Sequence, residues 1–336
     1  DGIRYQPRSR GLGDVYKRQV MHIAALENVP DTDATRLEAE KLDIEQHLLE
    51  LHTYGVTIVP PEKVAEPELI EQLRSAILRV IAERHDLEVP DDWRTHSEPW
   101  GGPKAWCWLF EDESFIQAAL NPTANCIAKF MCGRNVVLQG TPAIIKTTGT
   151  PSRTGTKARN DEGFMRLHTD THGVPSPLPE WAQLVNISWL LTDYNGPEDG
   201  PTVLVPGSHR YGRMPRDYER EWWVEDAPVQ AVPLTGKAGS LAIWHGSLWH
   251  GSRPRSADGM RITLPFIYGR SYLQTIHDWP TALAQGDNAK WLEKYPELGE
   301  LLACWHPYPT DRDGSNTPQS REGNTRMIGV GDNVYA

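Results

Sequence analysis

The chain has 336 residues, 39% of them hydrophobic, and a formal charge of −11 from 34 basic and 45 acidic side chains. That length suits one large all-β or mixed domain with a sizeable core, and the negative balance argues against nucleic acid or an anionic membrane surface as a partner. No apolar run is long enough to span a bilayer, and the four cysteines (Cys107, Cys126, Cys132 and Cys304) form no CxxC pair, so they read as reduced thiols of a cytoplasmic protein.

The N-terminal stretch stands apart. Asp14-Val15-Tyr16-Lys17-Arg18-Gln19 is what GATGTGTATAAGAGACAG encodes, a DNA sequence that looks like the transposase end used in sequencing libraries. Residues 1–20 are therefore expected to be translated adapter, with the native chain starting at or near Met21, and they are left out of fold reasoning. They carry five basic and two acidic residues, so without them the charge falls to −14. Ile23–Leu26 is too short for the apolar region of a signal peptide.

The spacing of Leu37, Leu42, Ile44, Leu48, Leu49 and Leu51 predicts one amphipathic helix over 33–53. Gly55 ends it, and Val56–Val59 is a short strand before Pro60-Pro61. A second helix is predicted from about Pro67 to Arg84, with Leu69, Ile70, Leu73, Ile77, Leu78 and Ile81 at helical spacing. Residues 88–108 are rich in Trp and Pro and read as a loop packing on something else. Short helices are expected near 112–120 and 122–132, with Pro122 in the first turn and Gly133 just past the end.

From residue 135 the pattern changes to short runs of period two. Candidate strands are 135–139, 143–146, 184–191, 202–205, 229–232, 240–244 and 262–268, separated by turn residues, which suggests a sandwich or barrel. Residues 147–163 and 208–228 read as mobile loops and 306–336 as a polar tail. Residues 21–305 are expected to form a single domain with a β core at about 135–270.

Chemistry-bearing residues lie inside that β region. His168 and Asp170 are one residue apart, so on an extended strand both face one side and could hold one metal ion. With 12 histidines, about one HxD is expected by chance, so the spacing alone is a weak signal. Its position after a loop and before a turn-rich stretch suits the mouth of a barrel. A third ligand would come from His209, His245 or His250. Arg261 opens a strand with Ile262, Leu264 and Phe266 on one side and Arg261 and Thr263 on the other. Periodicity does not decide whether Arg261 and Thr263 face the interior or solvent. If inside, the guanidinium requires an anion.

His168-Thr169-Asp170, the strand Asn186–Asp193, the turn Pro206–Arg210 and Gly239…His250-Gly251-Ser252…Arg261 together resemble the phytanoyl-CoA dioxygenase family. The resemblance covers most of residues 40–268. It implies a mainly β fold with flanking helices, a double-stranded β-helix of the jelly-roll, cupin-like kind. It implies Fe(II) held by His168, Asp170 and His250. It also implies 2-oxoglutarate anchored by Arg261 with Ser252, and an aromatic, Trp189, beside that co-substrate. With O2, such an enzyme hydroxylates a small organic molecule and releases succinate and CO2. Related halogenases have a small residue in place of the carboxylate, so Asp170 favours hydroxylation.

The alternative is a jelly-roll protein that binds metal in cupin fashion, or is non-catalytic, and does not use 2-oxoglutarate. Whichever reading holds, His209 reads as structural or as a support to the ligands rather than as a ligand, and His245 would substitute as a ligand only if the register were shifted. His172 reads as lining the entrance or lying on the surface, and Lys146 and Arg166, flanking the loop, read as solvated or, as the lesser alternative, as contacts for an anionic substrate. Loops 88–108, 147–163 and 208–228 would choose the substrate, and nothing in the sequence sets an oligomeric state.

Overall fold

A computed structural model describes residues 32–100, 108–148, 163–171 and 173–304. The expected adapter segment, most of the 147–163 loop, His172 and the 306–336 tail lie outside the described residues.

The N-terminal part is helical. The single helix expected over 33–53 is two helices, α1 (Thr32–Lys41) and α2 (Glu45–Tyr54). The break falls at Asp43, which takes φ 53. Aspartate tolerates that left-handed conformation better than most residues, and Lys63 Nζ fixes it by donating to its carboxylate at 2.7 Å. The kink lets Ile44, Leu48 and Leu51 all reach the core. Gly55 ends α2 at φ 75, and its N–H donates to Leu51 O. A Cβ at this position would lie 2.5 Å from the His209 ring, so both the dihedral and the space demand glycine. Strand β1 (Val56–Val59) follows.

Helix α3 (Pro67–His85) begins with Pro67 in its first turn, where the missing N–H costs nothing. Its stripe of Ile70, Leu73, Ile77, Val80 and Ile81 is buried. Helices α4 (Glu113–Ala119) and α5 (Pro122–Cys132) fall where expected. Asp112 and Asn121 cap them by accepting from the N–H of Ser114 and Ala124.

The β strands form two antiparallel sheets. The large sheet runs in the order β1, β8 (Leu241–His245), β5 (Leu184–Leu190), β10 (Arg261–Gly269), β2 (Val137–Gly140), and β3 (Ile144–Lys146) also pairs with β10. The small sheet runs β4 (Met165–His168), β9 (His250–Ser252), β6 (Thr202–Leu204), β7 (Val232–Pro233). The two pack face to face, since Leu204 of the small sheet joins Leu190, Ala242 and Trp244 of the large one in one cluster. The architecture is the mainly β jelly roll with flanking helices.

Register gives each strand of the large sheet two unlike faces. Leu264 pairs with Trp189 and Phe266 with Ile187, and these residues, with Ile243, pack against the helices. Thr263 pairs with Leu190, Asn186 with Trp244 and Arg261 with Lys146, and these point between the sheets.

Two further segments differ from expectation. Residues 208–228 are pinned over the outside of the small sheet rather than loose. Trp249 Nε1 donates to Arg213 O at 3.0 Å, Trp222 Nε1 to Met165 O at 3.0 Å, and Arg213 forks onto Glu219 at 2.6 and 2.8 Å. Beyond β10 lie three short helices, α6 (Trp279–Leu283), α7 (Lys290–Lys294) and α8 (Glu297–Leu301). Trp279 fastens them to β2 by donating to Leu138 O at 2.6 Å.

Candidate metal centre

His168 ends β4 and His250 begins β9, and the two are direct cross-strand partners. Asp170 sits in the bend after β4, where its N–H donates to Gly246 O at 2.9 Å. Between the two histidines' strands the backbones approach closely, because a Cβ on Gly251 would lie 2.5 Å from Met165 O. Any side chain there would force β4 and β9 apart.

Among the described residues, His168, Asp170 and His250 form a group able to hold a metal ion, their donor atoms lying within 4.8 Å of one another. His168 Nδ1 lies 3.0 Å from Arg166 O and His250 Nδ1 lies 2.9 Å from Leu248 O. A carbonyl can only accept, so each Nδ1 carries the proton and each Nε2 presents a lone pair. Those lone pairs meet the carboxylate: Asp170 Oδ2 is 3.2 Å from His250 Nε2 and Oδ1 is 3.7 Å from His168 Nε2. A first-row metal held at about 2.1 Å needs neighbouring donor atoms roughly 3 Å apart, so the residues fit such an ion.

Burial alone would raise the Asp170 pKa. The positive charge of His250 and His168 when their Nε2 atoms are protonated, with the Asn186 amide, outweighs it and holds the carboxyl well below its usual range. Asn186 donates to Oδ2 at 2.7 Å from the inner face of β5, fixing the carboxylate plane. The Trp244 ring stands beside these groups, its centroid 5.6 Å from that of His250.

A second cluster occupies the same interior. Arg261 is 3% exposed, which settles the question periodicity left open: it faces inward. Its Nη1 donates to Gly200 O at 2.6 Å, while its Nε is buried without a partner. Burial pushes its pKa down, and neighbouring Arg255 adds to that. Lys146 is opposite Arg261 on β3 and is buried, not solvated as expected. Its Nζ donates to Ser252 Oγ at 3.1 Å, to Gly200 O at 3.1 Å and to Arg253 O at 2.7 Å. Because Ser252 Oγ accepts from Lys146, its own proton is left to donate elsewhere. Asp199 is engaged by Arg255 at 2.9 Å and by the N–H groups of Asn195 and Gly196. Two facing cations and a poised hydroxyl suit a carboxylate held in fork geometry.

Trp189 does not join this cluster. It pairs with Leu264 and is fully buried in the helix-side core, one residue out of phase with the inner face. The aromatic on that face is Trp244. His245 is not a substitute ligand, since its Nδ1 accepts from Ser247 N at 2.9 Å and its ring packs on His209 at 5.1 Å. His209 lies in a buried turn against Gly55, in keeping with a structural role. Arg166 is half-exposed and pairs with Glu221. Asn186 and Trp244 went unread in the sequence, although alternation along β5 and β8 placed them opposite the apolar set.

The profile of the family described as phytanoyl-CoA dioxygenase (PhyH) matches residues 51–263. The chain belongs to that family. The matched span takes in His168, Asp170, His250, Ser252 and Arg261. An ectoine dioxygenase of Bordetella parapertussis is 32% identical over 130 residues, covering 33% of this chain. The chain spans 41% of that relative's length. An ectoine dioxygenase of Stutzerimonas stutzeri is 25% identical over 225 residues, 60% of this chain and 71% of the relative. Among solved structures, HygX from Streptomyces hygroscopicus, with nickel and 2-oxoglutarate bound, superposes with a TM-score of 0.52 at 17% identity. The superposition covers 69% of this chain and 88% of HygX. The two share a fold.

Proposed function

We propose that the protein is a dioxygenase dependent on Fe(II) and 2-oxoglutarate that hydroxylates a small organic molecule. The observation that carries this reading is the pairing of two features in one interior. Nε2 of His168, Nε2 of His250 and the Asp170 carboxylate converge. Arg261 is buried facing the same space with an unpartnered Nε. A cupin-type site needs the first feature and gives no reason for the second. Family membership and the metal and 2-oxoglutarate of HygX support the same reading.

In this reading His168, Asp170 and His250 would hold Fe(II). Arg261, Ser252 and Lys146 would hold the far carboxylate of 2-oxoglutarate. When bound, the metal, co-substrate and O2 supply an oxidation that yields hydroxylated product, succinate and CO2. The chain's own residues bind, orient and exclude water. Asn186 keeps the Asp170 carboxylate turned toward both imidazoles, and the backbone carbonyls of Arg166 and Leu248 keep both rings in the metal-binding tautomer. The apolar group Leu190, Leu204, Trp244 and Leu248 keeps the interior dry.

We further place the activity in a single domain acting in the cytoplasm. The free cysteines Cys126, Cys132 and Cys304 support that compartment. No helix among the described residues is long and apolar enough to cross a membrane. Ectoine, named in the relatives, is the first substrate to try. The test is succinate formation from 2-oxoglutarate by Fe(II)-loaded protein in air. Wild type is expected to form succinate and His168→Ala to form none. Equal succinate from both would sink the reading.

A further inference from the structure

Arg261 enters the interior with little to hold it. Of its donors, Nη1 meets Gly200 O at 2.6 Å and Nε meets nothing. Asp199 is committed to Arg255 and two backbone N–H groups. A guanidinium on a flexible stem would swing unless something fixed its plane.

Tyr194 is placed to do so. The Arg261 guanidinium carbon lies 5.1 Å from the centre of its ring. The tyrosine itself is fixed at both ends. Its backbone forms an isolated bridge with Gly236, through Tyr194 N–H to Gly236 O at 2.8 Å and Gly236 N–H to Tyr194 O at 3.0 Å. Its hydroxyl is hydrogen-bonded to Thr263 Oγ1, two residues from Arg261 on the same face of β10. The ring is buried among Leu190, Leu204, Leu234 and Leu248.

An aromatic face has a property a carboxylate lacks. It attracts a cation most strongly where water is absent, yet it takes up none of the N–H donors and does not neutralise the charge. A carboxylate in the same place would compete with an anionic ligand for the fork. We propose that Tyr194 is the positioning residue of the co-substrate site: its ring holds the Arg261 fork oriented and unquenched for the far carboxylate of 2-oxoglutarate. The inference rests on the co-substrate reading above.

The test is calorimetric titration of the Mn(II)-loaded protein, under anaerobic conditions, with two ligands. One is 2-oxoglutarate. The other is oxalate, which chelates metal but has no far carboxylate to reach Arg261. Tyr194→Leu is expected to weaken 2-oxoglutarate about 10- to 30-fold and leave oxalate unchanged, the loss of a desolvated cation–π contact. Tyr194→Phe keeps the ring and should stay within about threefold of wild type. Unchanged oxalate binding also reports an intact, folded metal site, and Tyr194→Met replaces the Leu variant if that signal is lost. Three results overturn the proposal. The variants weaken neither ligand, or they weaken both alike in Leu and Met, or Phe loses as much as Leu. A wild type that binds oxalate but not 2-oxoglutarate overturns the co-substrate reading itself, and the role of Tyr194 with it.

Discussion

The two faces of the large sheet are built from the same strands and do opposite work. On the helix side, Val185, Ile187, Ile243, Ile262, Leu264 and Phe266 are hydrocarbon side chains, joined by Trp189 with its single indole N–H, and all are fully buried. On the inner side, Asn186, Ser188, Trp244, Arg261 and Thr263 each bring a polar atom, beside the apolar Leu190 and Ala242, and all are buried too. Burial therefore does not separate structure from chemistry in this fold. What separates them is charge: the Arg261 guanidinium, buried with an unpartnered Nε, stands on the inner face, and the helix-side residues named carry no ionisable group. The helix face gains stability by area, whereas the inner face spends some of it on groups such as Arg261 that a ligand would complete.

The sharpest way to break that contrast is at Trp189. Trp189→Ala should cost about 3–5 kcal/mol of folding free energy, as a large core side chain does. The folded fraction should bind 2-oxoglutarate as wild type does. Denaturant unfolding and calorimetry on the same samples check both halves; a weakened co-substrate with little lost stability would return Trp189 to the inner face.

Arg261→Ala is the mirror experiment. Co-substrate binding should weaken by about 2–5 kcal/mol, as when one partner of a buried charged contact is removed. The melting temperature should hold or rise, because an incompletely paired buried charge is removed. A variant that melts well below wild type while binding normally would make Arg261 a structural residue.

Asn186 gives a smaller effect of the same kind. Asn186→Ala releases one Asp170 oxygen, and metal affinity should fall about 10- to 100-fold, the usual range for groups that orient a ligand. Direct Fe(II) or Mn(II) titration reads this. Unchanged affinity would mean that the 2.7 Å contact does not tune the carboxylate.

The last prediction concerns pH. Burial lowers the pKa of His245 to about 3, with His209 beside it adding to the effect, and lowers that of His209 to about 4, with Arg210 adding. Unfolded, each would titrate near 6.5. Both are therefore neutral in the fold and contribute stability that is complete above about pH 6.5. It is lost as pH falls toward the folded values, by up to about 2 kcal/mol per histidine at pH 5. Unfolding midpoints at pH 7.5 and pH 5 should differ in that direction, and His245→Gln should shrink the difference. An equal difference in wild type and variant would show that His245 does not carry it.

The sequence carried the metal end of the site further than the cation end, for physical reasons. His168 and Asp170 sit on one short segment, so their common side follows from strand geometry. His250, Ser252 and Arg261 keep a spacing that the family resemblance matched. Lys146 and Arg261 meet only because β3 pairs with β10, and no local pattern marks Lys146 as buried. Trp189 shows the limit of period two: alternation along β5 sorts residues into two sets but does not say which set faces the ligands. The α1–α2 break escaped for a different reason. Its turn is made by Asp43, held by Lys63 from 20 residues away, with no glycine or proline to announce it. Pro122 and Gly133, by contrast, marked the ends of α5 directly.

The most direct test of the metal and co-substrate reading is optical. Metal-free protein would receive Fe(II) and then 2-oxoglutarate without oxygen, with the visible charge-transfer band of the chelate as the signal. Wild type should show the band, His168→Ala should lack it, and Arg261→Ala should need far more co-substrate to develop it. Folded, iron-loaded wild type that shows no band at saturating 2-oxoglutarate would contradict the reading.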